Sequence, residues 1–233
     1  MARMVEEKLI VYSSGATAPP LKRASEVYNE KYGTEFEFII GKVEYLFSKL
    51  QERKEGDILQ CGSEYILDDA EWKGDVVKGS RKSAGYRKSV ILVPIGNPKN
   101  ILSLEDLTED GKKIGIAVSG CLVGLWDDIC SKKGLTNQIL KNITHHADGC
   151  GSVMSLIHEN KVDAIFGWDA FENIWPKTSE AIELPEDIQV FRSTGIGVLS
   201  VSNQRNHAKK FIDFVTSEEG KDIYKEYGWT HGF

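Results

Sequence analysis

The chain has 233 residues, enough for one large domain or for two small lobes that each hold a core. Hydrophobic residues make up 41% and charged residues 27%, an ordinary globular composition, and no apolar run approaches the roughly 18 residues that span a bilayer. Membrane insertion is therefore not expected. The 29 Lys+Arg against 35 Asp+Glu leave a net charge of −6, and no basic cluster alternates with aromatics, which argues against a nucleic-acid binder. Cys61, Cys121, Cys130 and Cys150 are too few for a disulfide scaffold and lack CxxC spacing. The stretch from Met1 to Lys8 has no apolar segment of the kind a signal peptide carries. Either a cytosolic protein or an exported one whose leader has been removed fits that start.

Strand and helix signals alternate from residue 9. Leu9-Ile10-Val11-Tyr12 is a continuous apolar run, as expected of a strand covered on both faces. A small-residue loop follows, and Pro19-Pro20 opens a helix with Leu21, Ala24, Val27 and Tyr28 on one face and Gly33 at its end. Glu35–Ile40 is a second strand, running through Gly41-Lys42 into a helix that turns Leu46, Phe47 and Leu50 inward. Asp57-Ile58-Leu59 is a third, ending at Cys61-Gly62-Ser63. This βα rhythm predicts a mostly parallel sheet with helices on its faces, and such sheets bind ligands at the carboxyl ends of their strands.

A second set follows the strand Ser89–Val93 and the turn Gly96-Asn97-Pro98. Strands are expected at Ile114–Val118, near Asn142–Thr144 and at Val162–Phe166. Leu122, Leu125, Trp126 and Ile129 form an i, i+3, i+4, i+7 stripe, predicting one helix that stops near Gly134 and places Trp126 in the core. A further helix carries Val153, Leu156 and Ile157. Two closing helices carry Ala208, Phe211, Ile212 and Val215, then Ile223 and Tyr224. Extended connections near 89–95 and 189–198 are the expected crossings between two lobes, and two lobes joined by two crossings form a cleft that can hinge.

In order along the chain, several stretches carry a family likeness. They are Val11-Tyr12 with its small-residue loop, Asp57-Ile58-Leu59 leading to Gly62-Ser63-Glu64-Tyr65, Tyr86-Arg87-Lys88-Ser89, and Gly96-Asn97-Pro98. Gly124-Leu125-Trp126-Asp127-Asp128 and Tyr227-Gly228-Trp229 complete the set. Together they resemble class II periplasmic solute-binding proteins of the AcfC/Paa-like (accessory colonization factor) group, more distantly the molybdate- and sulfate-binding proteins. The resemblance implies an exported, periplasmic protein of two-lobe α/β fold, with one lobe of residues 1–90 plus 196–233 and another of 91–195. It implies capture of a small organic or inorganic anion (a carboxylate, phosphate or oxyanion) in the interlobe cleft, with no catalysis and no cofactor. The implied partners are an ABC transporter or a host-facing surface; in the latter case the chain is an adhesin with a vestigial cleft. Departures from the pattern also stand out. Lys42-Val43-Glu44 replaces the serine cluster of molybdate binders, Cys121 and Cys150 replace glycine and serine, and Met154 replaces an anion-binding arginine.

The loops before helices are the site candidates: Ser14, Gly15, Ala16 and Thr17; Gly41 and Lys42; Ser63; Gly120 and Cys121; and Cys150, Gly151 and Ser152. Helix N-termini attract anions because their first N–H groups have no intrahelical partner, although ordinary βα loops and N-caps read the same way. Arg87 and Lys42 are the expected fixed charges, and the fork of Arg87 suits a carboxylate or phosphate. Trp168 reads equally as a cleft wall or as a core residue. Cys61, Cys121 and Cys150 all fall at expected strand ends, which admits a soft site for a small thiol or metal, a Cys121–Cys150 disulfide, or plain buried hydrophobes. An enzyme with a cysteine nucleophile and His145 or His146 as base is the rival class. Adjacent histidines on a strand face opposite ways, so at most one serves any site.

Overall fold

The computed structural model describes residues 8–232; residues 1–7, on which the reading of the leader rests, and residue 233 lie outside the described residues. From the start, apolar runs become strands and amphipathic runs become helices. Strand β1 (Lys8–Ser14) passes through a tight turn at Gly15–Thr17 into helix α1 (Ala18–Tyr32). Both prolines fall in the first turn of α1, where their missing N–H costs nothing, and Gly33 caps its end by donating to the Asn29 carbonyl at 2.8 Å. Strand β2 (Glu35–Gly41), helix α2 (Val43–Arg53), strand β3 (Ile58–Cys61), helix α3 (Glu64–Lys73) and strand β4 (Lys82–Pro94) follow. β1 pairs in parallel with both β2 and β3, so the three strands end at one edge.

The chain divides into two compact units, one of residues up to 86 and from 193, the other of residues 87–192. It enters the second unit inside β4. There strand β5 (Ile114–Ala117), helices α4 (Leu125–Cys130) and α5 (Thr136–Leu140), strand β6 (Ile143–Ala147), helix α6 (Gly149–His158), strand β7 (Ala164–Trp168), the short α7 (Phe171–Ile174) and strand β8 (Ser179–Glu183) build a mixed sheet. β5 runs parallel to β6 and β7, whereas β4 is antiparallel to β7 and β8. The chain leaves along strand β9 (Phe191–Val198), which pairs antiparallel with β3 and closes the first unit's sheet. Helices α8 (Arg205–Val215) and α9 (Glu218–Glu226) then return to α1, where Tyr28 meets the rings of Phe211 and Phe214 edge-on. The buried carboxylate of Asp57 ties the unit's strands together, accepting from the Ile10 N–H at 2.9 Å and the Ser202 hydroxyl at 2.5 Å.

Arg87 and Arg192 are the first and last residues of the second unit. Two expectations change there. The helix expected through Leu122–Ile129 is broken: a single turn at Gly120–Leu122 ends at Val123, and α4 starts afresh at Leu125. That restart turns Trp126 partly to solvent, while Leu125 and Ile129 stay buried. Elements α5, α7 and β8 are too short to show a period in sequence. The Asn142 side chain is buried and donates to the carbonyls of Leu107 and Glu109, each at 2.8 Å, so it serves the fold.

Candidate functional site

In the second unit, strand direction decides which side chains meet. β5, β6 and β7 end at the same edge, and the loops after them carry Gly120-Cys121, Gly149-Cys150 and Trp168-Asp169. β4 runs the other way: Ser89 is the register partner of Trp168, so Arg87 arrives at that edge from the opposite direction. Four expected site residues thereby converge. The Arg87 guanidinium is fully buried, lies over the Trp168 ring at 4.9 Å, and donates from Nη1 to Cys121 Sγ at 3.2 Å. Trp168 Nε1 donates to the same sulfur at 3.3 Å.

The sulfurs of Cys121 and Cys150 lie 2.8 Å apart as free thiols. Two glycines make that approach: Gly120 (φ +74°) and Gly149 (φ +83°) both lie in the left-handed region, and a Cβ on Gly120 would stand 3.8 Å from the Gly149 Cα. Cys150 is the second residue of α6, with Gly151 and Ser152 completing the first turn. The hydrogen bond from Cys150, then the Arg87 charge and the Trp168 and Arg87 donors, hold the Cys121 thiol well below its ordinary range against the desolvation that opposes them. Cys150 is pushed up correspondingly, first by its bond to Cys121 and then by burial. Of the two, Cys121 is the sulfur on which negative charge is favoured, with the Arg87 guanidinium beside it. His145 bonds instead to the neighbouring Thr144 hydroxyl at 2.9 Å, and among the described residues neither His145 nor His146 partners a cysteine, so no Cys–His dyad forms.

Arg192 is the residue that sequence reasoning passed over. It lies 5.9 Å over the same Trp168 ring, donates to the carbonyls of Cys121 (3.2 Å) and Val123 (2.8 Å), and pairs with Asp128. It pins the Cys121 loop. A signal was present, since an arginine closes the second extended crossing as Arg87 opens the first. Asp169, next to Trp168, accepts from the N–H groups of Ala170 (2.8 Å) and Lys88 (3.2 Å). Burial raises its pKa to about 6, with these bonds and the Lys88 charge acting in the other direction. A carboxyl whose folded pKa exceeds its unfolded value stabilises fully below the unfolded value and loses that contribution as pH rises through about 6. Asp169→Asn should therefore gain on wild type by on the order of 2 kcal/mol between pH 4 and pH 7. Parallel urea titrations with no change in the difference across that window would refute the assignment.

The first unit's candidates lie at the ends of β1, β2 and β3, again on one edge. The Thr17 hydroxyl is spent internally, donating to the Ser14 carbonyl at 3.1 Å with the Ser14 hydroxyl 2.9 Å away. Its carbonyl accepts from Gln60 Nε2 at 2.8 Å, and Gln60 in turn accepts from the Tyr224 hydroxyl at 2.5 Å. Pro19 and Pro20 remove two of the N–H groups that α1 would otherwise offer, and the tight turn at Gly15–Thr17 uses those of Thr17 and Ala18, so the donors left there are Gly15 and Ala16. Gly41 ends β2 against the Tyr45 ring, and Lys42 is the exposed N-cap of α2. Ser63 caps α3 with its hydroxyl buried and without a hydrogen-bond partner among the described residues. Glu64, however, sets a carboxylate beside that helix start, bound by Arg81 at 2.5 Å and by the Ser193 hydroxyl at 2.6 Å. That charge disfavours an anion at α3 itself. Cys61, expected with the other two sulfurs, is instead buried in this unit's apolar core with Tyr12, Leu59 and Leu67.

The fold matches known structures. The chain superposes on the crystal structure of PEB3 with bound L-phospholactate (TM-score 0.86, 23% identity, 96% of this chain and 100% of that one). Peb3 from Campylobacter jejuni gives TM-score 0.83 at 23% identity over the same shares. The sulfate-binding protein SubI from Mycobacterium tuberculosis gives 0.81 at 14% identity, over 96% of this chain and 86% of that one. The Azotobacter vinelandii periplasmic molybdate-binding protein gives 0.77 at 14%, over 97% and 100%. The fold is accordingly the α/β periplasmic-binding-protein fold. In sequence, the chain is 23% identical over 168 residues to the Bacillus subtilis lipoprotein YvgL, named for an ABC-transporter substrate-binding role; the match takes in 71% of this chain but only 62% of that protein. No described helix is long and apolar enough to cross a membrane. The profile of bacterial extracellular solute-binding proteins matches residues 9–230, and with nearly its whole length inside that match the chain belongs to this family of binders, not of enzymes.

Proposed function

We propose that this protein captures a small anion outside the cytoplasm, with Arg87 as the fixed charge. The carrying observation is a guanidinium fully buried against Trp168 at the carboxyl ends of the parallel strands β5, β6 and β7, in a protein whose net charge is −6. A buried cation is stabilised by partners that accept its donors, and the Cys121 sulfur is one of them, 3.2 Å from Nη1. The start of α6, in the same unit, supplies further backbone donors. The PEB3 relative holds L-phospholactate, and other relatives are named for molybdate and sulfate, which supports phosphorylated hydroxy acids first and tetrahedral oxyanions second. The periplasmic, AcfC/Paa-like setting and an ABC-transporter partner are part of the same reading, the latter supported by the name of YvgL.

Calorimetry and thermal shift against L-phospholactate, phosphate, sulfate, molybdate and simple carboxylates test it. One anionic class should stabilise the fold, by about 2.7 kcal/mol at a hundredfold excess over Kd. No shift with any of these anions would end the proposal and leave the adhesin with a vestigial cleft.

A further inference from the structure

We propose that Cys121 and Cys150 form a redox-active dithiol which peroxide closes to a disulfide, and that closure removes a sulfur anion that competes with an anionic ligand for Arg87. The second half rests on the reading of Arg87 given above. Two thiols in one site, 2.8 Å apart, need to move by roughly 0.8 Å to reach the disulfide bond length of about 2.05 Å. The backbones that carry them are held close by Gly120 and Gly149, and Arg192 fixes the Cys121 loop, so the approach is built into the fold. Three donors converge on Cys121: Arg87, Trp168 and the Cys150 thiol itself. They favour the thiolate, which is the nucleophilic form. The other two cysteines differ. Cys130 is pushed up to about 12, chiefly by burial, and Cys61 lies in apolar packing.

Access selects the oxidant. Cys121 is 5% exposed and Cys150 partly exposed, so a small oxidant such as hydrogen peroxide fits where a bulky disulfide does not. The Cys121 thiolate attacks one peroxide oxygen; the O–O bond breaks, and with one proton taken up the departing hydroxide leaves as water. The resulting sulfenic acid is attacked by the Cys150 sulfur, whose proton goes with the leaving hydroxyl as a second water. Overall, the thiolate–thiol pair, one peroxide and one proton give a disulfide and two waters. The sulfurs lose two electrons and the peroxide gains them. Before the reaction the guanidinium faces a sulfur anion 3.2 Å away; afterwards that sulfur is neutral. An incoming anion then no longer competes with that sulfur.

The experiment uses the full reduced chain, treated with equimolar hydrogen peroxide, alkylated and mapped without reduction. A Cys121–Cys150 peptide pair should appear while Cys61 and Cys130 remain thiols, and Cys150→Ser should stop at a dimedone-trapped sulfenic acid on Cys121. Calorimetry with L-phospholactate and with sulfate should then show at least tenfold tighter binding to the oxidised form for whichever anion binds. That difference should vanish in the Cys121→Ser, Cys150→Ser double variant, which should bind as the oxidised protein does. Failure to form the 121–150 bond overturns the dithiol; a bond with unchanged or weaker anion binding overturns the coupling. If neither redox form binds any anion, the Arg87 reading falls and the coupling with it, while the peptide map still decides the disulfide.

Discussion

Arg87→Met should weaken anion binding by about 1.5–3 kcal/mol, the worth of a hydrogen bond to a charged group, or roughly ten- to hundredfold in Kd. Methionine keeps most of the buried volume over Trp168 and removes only the charge and the donors. Stability should fall less than the 3–5 kcal/mol or so expected when one partner of a buried ion pair is deleted, because Cys121 escapes by taking up a proton. The alkylation pH profile of Cys121 should accordingly move upward in the variant. Arg87→Lys should fall between the two, since an ammonium supplies charge without the planar fork that reaches two acceptors at once. Calorimetry with the anion that binds wild type decides the matter. An unchanged Kd in Arg87→Met places the ligand elsewhere.

The second large effect is on the fold of the site. Trp168→Ala should cost about 3–5 kcal/mol, since the indole is completely buried and no neighbour can fill its space. For a chain of this size that lowers Tm by roughly 10 °C or more. Two guanidiniums lose the ring they stack on, and Cys121 loses an N–H donor. Trp168→Phe separates these contributions. It retains a ring for Arg87 and Arg192, so the melting loss should be much smaller, but it cannot donate to sulfur and should raise the Cys121 pKa as Arg87→Met does. A Tm within 2 °C or so of wild type for Trp168→Ala would mean that the ring is not the platform of the site.

Much of the architecture was legible along the chain because it is local. Leu9–Tyr12 and Val90–Val93 are apolar at successive positions, as in a strand covered on both faces, and all of these residues are buried except the half-buried Ile10. The closing helices follow their spacing, with Ala208, Phe211, Ile212, Val215, Ile223 and Tyr224 all inside. The misplaced helix at 122–129 shows the opposite case. Its side-chain period is helical, but the break at Val123–Gly124 is a backbone event that an apolar stripe does not record. Cys61 and Cys121 look alike in sequence, each at the end of a short strand; one is packing and the other accepts from an arginine and a tryptophan.

What the amino-acid order alone determined is the alternation of strands and helices and the concentration of glycine, serine and cysteine in the loops after them. These properties follow from side-chain period and backbone freedom within a few residues. Tertiary structure alone decided that Arg87, Cys121, Cys150, Trp168 and Arg192 share one place, although more than a hundred positions separate the first from the last. Strand direction is the physical reason: three parallel strands end where an antiparallel one begins, and direction is set by pairing between distant segments.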